Sequence, residues 1–167
     1  MKSYYSIEQY KDLVHSKHDI AAIHLSIRKW QEQIDQNKFT DLFASQADLK
    51  NIKQYYVNQG GNFFLAIDND TNEVVGFVGL KRVGDVGEVK RLAVLPNHHQ
   101  RGIAQRLMTE LITWSKLHDI QELMLTTCIS EKAQFLYAKL GFKKTNLLSL
   151  QYGDPRFQDM EMRMLLT

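Results

Sequence analysis

The order of hydrophobic periodicities predicts a mixed α/β fold, a β-sheet with helices on its faces. Three observations carry this expectation. Residues 7–37 have helical apolar spacing, with Ile20, Ile23, Ile27, Trp30 and Ile34 separated by polar and charged residues. The middle of the chain holds apolar, β-prone runs divided by clusters of turn residues. The later part alternates helix, strand and helix before ending in two strands, the pattern of a layered α/β domain.

Each element has a local reason. A second short helix is expected over 47–58, with Ser45 as its cap, and Gln59-Gly60-Gly61-Asn62 ends it. Residues 63–67 and 74–80 form strands joined by the turn-rich Asp68-Asn69-Asp70-Thr71-Asn72, which makes them a hairpin. Val83-Gly84-Asp85-Val86-Gly87 turns the chain into a third strand, 88–95, which stops at Pro96 because proline cannot donate to a ladder. Glu88, Lys90 and Arg91 sit beside Val89 and Leu92, so neither alternating face of this strand is cleanly apolar. A bulge that changes side-chain parity accounts for the pattern. From Ile103 the spacing becomes helical again through Leu107, Leu111 and Trp114. A strand at 122–128 and a helix from 130 or 131 to 140 follow, with Ser130 as N-cap and Gly141 as C-terminal stop. The tail, 142–166, reads as two strands around Gly153-Asp154-Pro155.

Composition narrows the function. A chain of 167 residues, 44% hydrophobic and 24% charged with two prolines, is expected to form one globular domain over 1–167. A net charge of +2 and the lack of a lysine/arginine run give no footprint for nucleic acid. The sequence has neither a signal-like apolar core at its start nor eighteen consecutive apolar residues, so no membrane association is expected and the location predicted is cytoplasmic. The single cysteine, Cys128, excludes an intrachain disulfide and a multi-cysteine zinc site; its apolar neighbours favour a buried thiol over a reactive one. His98 and His99 are adjacent and have no third ligand at metal spacing, so they belong to a solvated loop or contact a phosphate, and no metal is expected.

Arg101-Gly102-Ile103-Ala104 is the first segment with a chemical signature. A glycine turn that follows a strand and opens a helix presents unsatisfied N–H groups at the positive end of the helix dipole, where a phosphate binds through the main chain. Arg101 is placed to add a charge-assisted contact. Neither G-x-x-x-x-G-K-[ST] nor G-x-G-x-x-G is present.

The string GEVKRLAVLPNHHQRGIAQRLM, with SEKAQFLYAKLGF some thirty residues later, resembles the acetyl-coenzyme-A-binding core of the GNAT family of N-acetyltransferases. That family has a bulged strand ending in E-x-K-R-L-x-V, then [QR]-x-x-G-x-[GA], then N-x-x-A-x-x-[LF]-Y-x-x-x-G-F. The detailed resemblance covers 74–145. It implies a central, mostly antiparallel sheet of about seven strands flanked by about four helices, splayed at a bulged strand. It implies acetyl-CoA as cosubstrate, held by main-chain groups of Leu92, Ala93 and Val94 along the pantetheine arm. His99, Gln100, Arg101, Gly102, Ile103, Ala104 and Gln105 would surround the pyrophosphate, and Ser130, Ala133 and Tyr137 complete the cofactor site. Three positions depart from the pattern: His99 replaces Gln or Arg, Ser130 replaces Asn, and Ala93 stands where many members carry an aromatic residue.

The chemistry follows from the reaction. Acyl transfer from a thioester to an amine requires a neutral amine, an oxyanion donor and a proton for the leaving thiolate. Free N–H groups near Val94 suit the oxyanion. Tyr137 is the expected general acid, since a phenol with the ordinary pKa of about 10 is protonated at neutral pH; otherwise it packs on a helix face with its hydroxyl in solvent. Glu88 is the expected general base, directly or through water, desolvated at the start of a bulged strand; its other reading is an ion pair with Lys90 or Arg91. His24 and Trp30 fall in the helical region that shapes the acceptor site in this family, although a packed or surface position also fits His24. The expected function is acetylation of a primary amine, most simply of a small molecule. Acetylation of a protein or peptide amine, and a non-catalytic coenzyme-A sensor, are the other readings, and the chain is expected to act as a monomer or homodimer.

Overall fold

The computed structural model describes residues 4–35, 46–128, 131–150 and 158–167. Among them a seven-stranded sheet runs in the order β1-β2-β3-β4-β5-β7-β6, comprising β1 (Tyr5–Gln9), β2 (Asn62–Asp68), β3 (Val74–Val83), β4 (Val86–Val94), β5 (Glu122–Cys128), β6 (Lys143–Leu150) and β7 (Gln158–Leu165). All neighbours are antiparallel except β4 and β5, which run parallel. That parallel pair is bridged by α5 (Ile103–Leu117), the crossover a parallel connection requires.

The sheet is covered on both faces, which explains why β2 reads as an unbroken apolar run. Phe64 and Ala66 point into the cluster built on α5 (Leu107, Met108, Leu111), whereas Phe63, Leu65 and Ile67 point into the cluster under the N-terminal helices. Each fully buried Leu or Met of α5 contributes about 1.5–3 kcal/mol relative to exposure.

The expected hairpin, the third strand, the helix from Ile103, the strand at Glu122–Cys128, the helix ending at Leu140 and both terminal strands are all present. The predicted bulge is present too. Gly79 pairs with Lys90 but Phe77 pairs with Ala93, which leaves one extra residue on β4. Arg91 takes it up at φ 62°. Parity changes across it: Val89 faces the α5 cluster, and so do Leu92 and Val94, while Ala93 faces the opposite cluster.

The N-terminal third differs from expectation. Residues 7–37 are not one helical region: β1 and a single turn, α1 (Asp12–His15), precede α2 (Ile20–Asp35). β1 is an edge strand whose burial fades along its length, so no alternating apolar signal marks it; pairing with β2 determines it. The helix expected over 47–58 is broken into α3 (Ala47–Lys50), α4 (Ile52–Tyr55) and a 3₁₀ turn, Val57–Gln59. Asn51 interrupts it at φ −143°, ψ 64°, and its side chain caps α4 by accepting from the Gln54 amide. With α6 (Glu131–Leu140) this makes six α-helical segments among the described residues instead of about four. Ser45, Ser130 and the Gly153-Asp154-Pro155 turn lie outside the described residues, as does the thiol of Cys128.

Candidate functional site

The sheet opens at its centre. The ladder between β4 and β5 extends from Val86↔Glu122 to Glu88↔Met124 and ends there, while β4 stays paired with β3 as far as Val94. Beyond Glu88 the two parallel strands part, and a cavity of about 640 Å³ is lined from both sides of the split. Glu88 to Leu92 of β4, Leu125 to Thr127 of β5, Ala133 and Tyr137 of α6, and His24 and Arg28 of α2 contribute to it, with Asp48, Tyr55, Tyr56 and Lys81.

Glu88 and Tyr137, expected from sequence as base and acid, therefore line one cavity. Glu88 also forms the ion pair that was its other reading: its Oε1 lies 2.8 Å from Lys90 Nζ, with 23% of the side chain exposed. One carboxylate thus faces the cavity and keeps a cation beside it. Tyr137 is half-buried on α6, with its ring edge-on to Phe142 at 5.9 Å.

The bulge swings Arg91 into the same cavity. Its Nε and Nη2 donate to Asp48 Oδ2 and Oδ1 at 3.0 and 2.9 Å, and the Tyr56 hydroxyl donates to Asp48 Oδ2 at 2.6 Å. Burial alone would raise the Asp48 carboxyl, but the hydrogen bonds from Arg91 and Tyr56 outweigh it and hold the group below the usual carboxylate range. Burial, then the bond to Asp48, pushes the Tyr56 phenol above its ordinary value. Tyr56 reaches Asp48 because its ring lies over Gly79, where an added Cβ would come within 2.6 Å of Tyr56 Cε1.

His24 is buried at 7% exposure. Burial, with Arg91 and Arg28 nearby, pushes its imidazole down to about 4. Gln46 Nε2 lies 3.1 Å from His24 Nδ1, and an amide nitrogen can only donate, so Nδ1 accepts. His24 is thus neutral at neutral pH. Trp30 is half-buried and meets the ring of His99 edge-on at 5.3 Å, on the side of α2 nearer the loop after β4.

That loop enters α5 through the glycine turn read from the sequence as a candidate anion cradle. Gln100 and Gly102 have φ of 57° and 74°. Gly102 is the N-cap residue, and no side chain caps the first turn, so its amides depend on water or a ligand. A Cβ on Gly102 would meet nothing within 4 Å, so backbone angle, and room for what approaches, account for glycine here. Ile103 is a core residue at 2% exposure, which leaves only its main chain for the cradle; Ala104 is half-buried, and the exposed Gln105 accepts from Lys139 at 3.3 Å.

The side chains around the cradle have partners within the protein. Arg101 Nη1 donates to the Tyr5 hydroxyl at 2.6 Å, and Arg106 Nη2 to the Tyr5 carbonyl at 3.0 Å, which ties the loop and α5 to β1. His98 Nδ1 lies 3.1 Å from the same hydroxyl. His99 Nε2 donates to the Val94 carbonyl at 2.8 Å. The backbone of Leu92, Ala93 and Val94 runs along the open side of the split towards this loop. The described residues contain no group of three or more metal-binding side chains, and none of their helices is long and apolar enough to cross a membrane.

Asp48, Arg28, Tyr56 and Lys81 were not singled out by sequence. Asp48 meets Arg91 across 43 positions of chain, a distance over which local patterns say nothing. The parity break at Arg91 was the one readable signal.

The comparisons agree with this geometry. Residues 24–142 match the Acetyltransferase (GNAT) family. The chain is 31% identical over 109 residues to an N-acetylaspartate synthetase of Xenopus tropicalis, a match covering 63% of this chain and 40% of that protein. It is 30% identical over 98 residues to a ribosomal-protein-bS18 alanine N-acetyltransferase of Haemophilus influenzae, covering 59% of this chain and 67% of the relative. The chain thus spans less than half of the synthetase and about two thirds of the bacterial enzyme. Among solved structures, a GNAT-family acetyltransferase of Staphylococcus aureus superposes with a TM-score of 0.76 at 27% identity, over 98% of this chain and 99% of that one. With the splayed strands, the bulge and the uncapped helix start all in place, the sequence match has its structural counterpart, and the chain belongs to the GNAT family of acetyltransferases.

Proposed function

We propose that this protein is an acetyl-CoA-dependent N-acetyltransferase acting on a primary amine of a small molecule. The observation that carries the reading is the cavity in the split between β4 and β5, which holds Glu88 and Tyr137 together at the strand that leads to the uncapped start of α5. A volume of about 640 Å³ falls in the range of small-molecule sites. The residues fit the cosubstrate: free amides at Gly102 suit a pyrophosphate, and the unladdered edge of β4 suits an extended amide-containing arm.

Acetyl-CoA, when bound, supplies an activated thioester. Glu88 takes the proton of the arriving ammonium, directly or through water, which leaves a nucleophilic amine. Main-chain N–H groups near Val94 stabilise the developing oxyanion. Tyr137 donates its proton to the sulfur as the carbon–sulfur bond breaks. The chain works as one unit, in which 74–145 bind the cosubstrate and the N-terminal helices, with His24 and Trp30, shape the acceptor side.

Acceptor class is the next distinction. The relatives include enzymes named for a small amino acid and for a ribosomal protein. Free-thiol release measured over amines, amino acids, polyamines, aminoglycosides and peptides, beside calorimetry with coenzyme A, tests the reading. Amine-dependent release with a small acceptor is expected. Release only with peptides would make it a protein acetyltransferase. Coenzyme A binding with no amine-dependent release would make it a sensor, and absence of binding would overturn the assignment.

A further inference from the structure

The bulge in β4 decides which main-chain donors face the split. Leu95 donates its amide to the Val75 carbonyl at 2.8 Å, and Val94 stands opposite Gly76. Residues of an antiparallel ladder turn their polar groups alternately towards the partner strand and away from it, so the Val94 amide points away from β3 and into the split. The Val94 carbonyl points the same way and accepts from His99 Nε2 at 2.8 Å. Without the extra residue, the register set by Gly79↔Lys90 would carry Val94 opposite Val75, and its amide would turn to β3 instead. The rail presents that donor only while the bulge stays in place.

Arg91 takes the bulge up at φ 62°, a left-handed conformation that a residue with a long side chain keeps only where its surroundings enforce it. The enforcing contacts come from a distant part of the chain. Asp48 of α3 accepts from Arg91 Nε and Nη2 at 3.0 and 2.9 Å, and from the Tyr56 hydroxyl at 2.6 Å. Tyr56 is itself buried over Gly79, the residue paired with Lys90 immediately before the bulge. With 25% of the Arg91 side chain and 18% of the Asp48 side chain exposed, the ion pair is largely shielded from water. A two-pronged contact fixes the plane of the guanidinium as well as its distance, so it constrains the residue that carries it. Resting on the N-acetyltransferase reading above, we propose that Asp48 is a positioning residue: through Arg91 it clasps the β4 bulge in its left-handed turn and so keeps the Val94 amide turned into the split as an oxyanion donor.

Glycine reaches a positive φ without help, which supplies a rescue experiment. Asp48→Asn removes the charge that holds both prongs. It is expected to lower kcat about tenfold, short of the 10²–10³ or so that loss of a whole oxyanion donor costs. Because β4 is also the rail for the pantetheine arm, coenzyme A affinity measured by calorimetry should weaken several-fold, with KM for the amine unchanged. Asp48→Asn combined with Arg91→Gly leaves no unpaired buried charge and a residue at ease in the turn, so both quantities are expected to return towards wild type. Tyr56→Phe keeps the ring over Gly79 and removes only the hydroxyl; it should shift kcat and affinity in the same direction by a smaller factor. That variant carries the test if circular dichroism shows that Asp48→Asn does not fold. Unchanged kcat and affinity in the folded variants, a rise in amine KM alone, or losses that glycine does not recover would overturn the proposal while leaving the acetyltransferase intact. Wild-type protein that neither binds coenzyme A nor releases thiol with any amine would remove both together.

Discussion

Glu88 shows how one side chain can hold an ion pair and still line the cavity in which the proposed chemistry would take place. The Lys90 ammonium lies 2.8 Å from the Glu88 carboxylate, and the same carboxylate lines the cavity with Tyr137. Tyr137→Phe should lower kcat by about 10²–10⁴, the usual worth of a positioned acid, with coenzyme A affinity nearly unchanged; steady-state kinetics beside calorimetry measure both, and an unaltered kcat removes the role. Glu88→Gln should erase the acidic limb of the kcat/KM profile, so a profile retaining that limb assigns the base elsewhere. His24 offers a third measurement at this scale. Its folded-state value of about 4 lies below the ordinary 6.5, so between those limits the unfolded chain binds a proton that the folded one refuses. Its contribution is complete above about pH 6.5 and is lost as pH falls towards 4. Chemical denaturation across that window should show stability falling with acidification, and His24→Gln should flatten the slope.

At the level of elements, the strand and the helix divide the work. β4 is paired along one edge, bulged in its middle and released from β5 beyond Glu88, which gives a rigid rail with one open side. The start of α5 is left without a side-chain cap, an arrangement suited to an anionic ligand because several amides and the helix dipole converge there. Gly102→Ala places a Cβ at φ 74°, at a cost of roughly 1–2 kcal/mol for the left-handed conformation. The expected result is a several-fold weaker affinity for coenzyme A by calorimetry, with kcat at saturation less affected. Unchanged affinity would show that the turn serves only the fold. The motif flanking this turn was the most legible part of the sequence, because its demands on backbone angle and residue size are local. The break of 47–58 at Asn51 was less so: each half has helical residues, and what divides them is Tyr56 lying on Gly79 and Asp48 engaging Arg91.

On the scale of the whole molecule, a two-faced sheet holds the split open. Leu107 is fully buried between α5 and the sheet. Its truncation to alanine should cost about 2–5 kcal/mol, a fall of about 10 °C in Tm by thermal melting; a shift under a degree or two would mean that this helix is not what braces β4. The sequence alone determined the order of most elements, the bulge in the third strand, the glycine turn that opens α5 at Gly102 and the choice of Glu88 and Tyr137 as reactive candidates. Periodicity, turn chemistry and short motifs act over a few residues, so they can be read along the chain. Tertiary structure alone decided that Tyr5–Gln9 is an edge strand, that β7 inserts between β5 and β6, and that Asp48, Arg91, Arg28 and Lys81 share one cavity. Those outcomes depend on hydrogen bonds and charges between residues many positions apart, which no local pattern encodes.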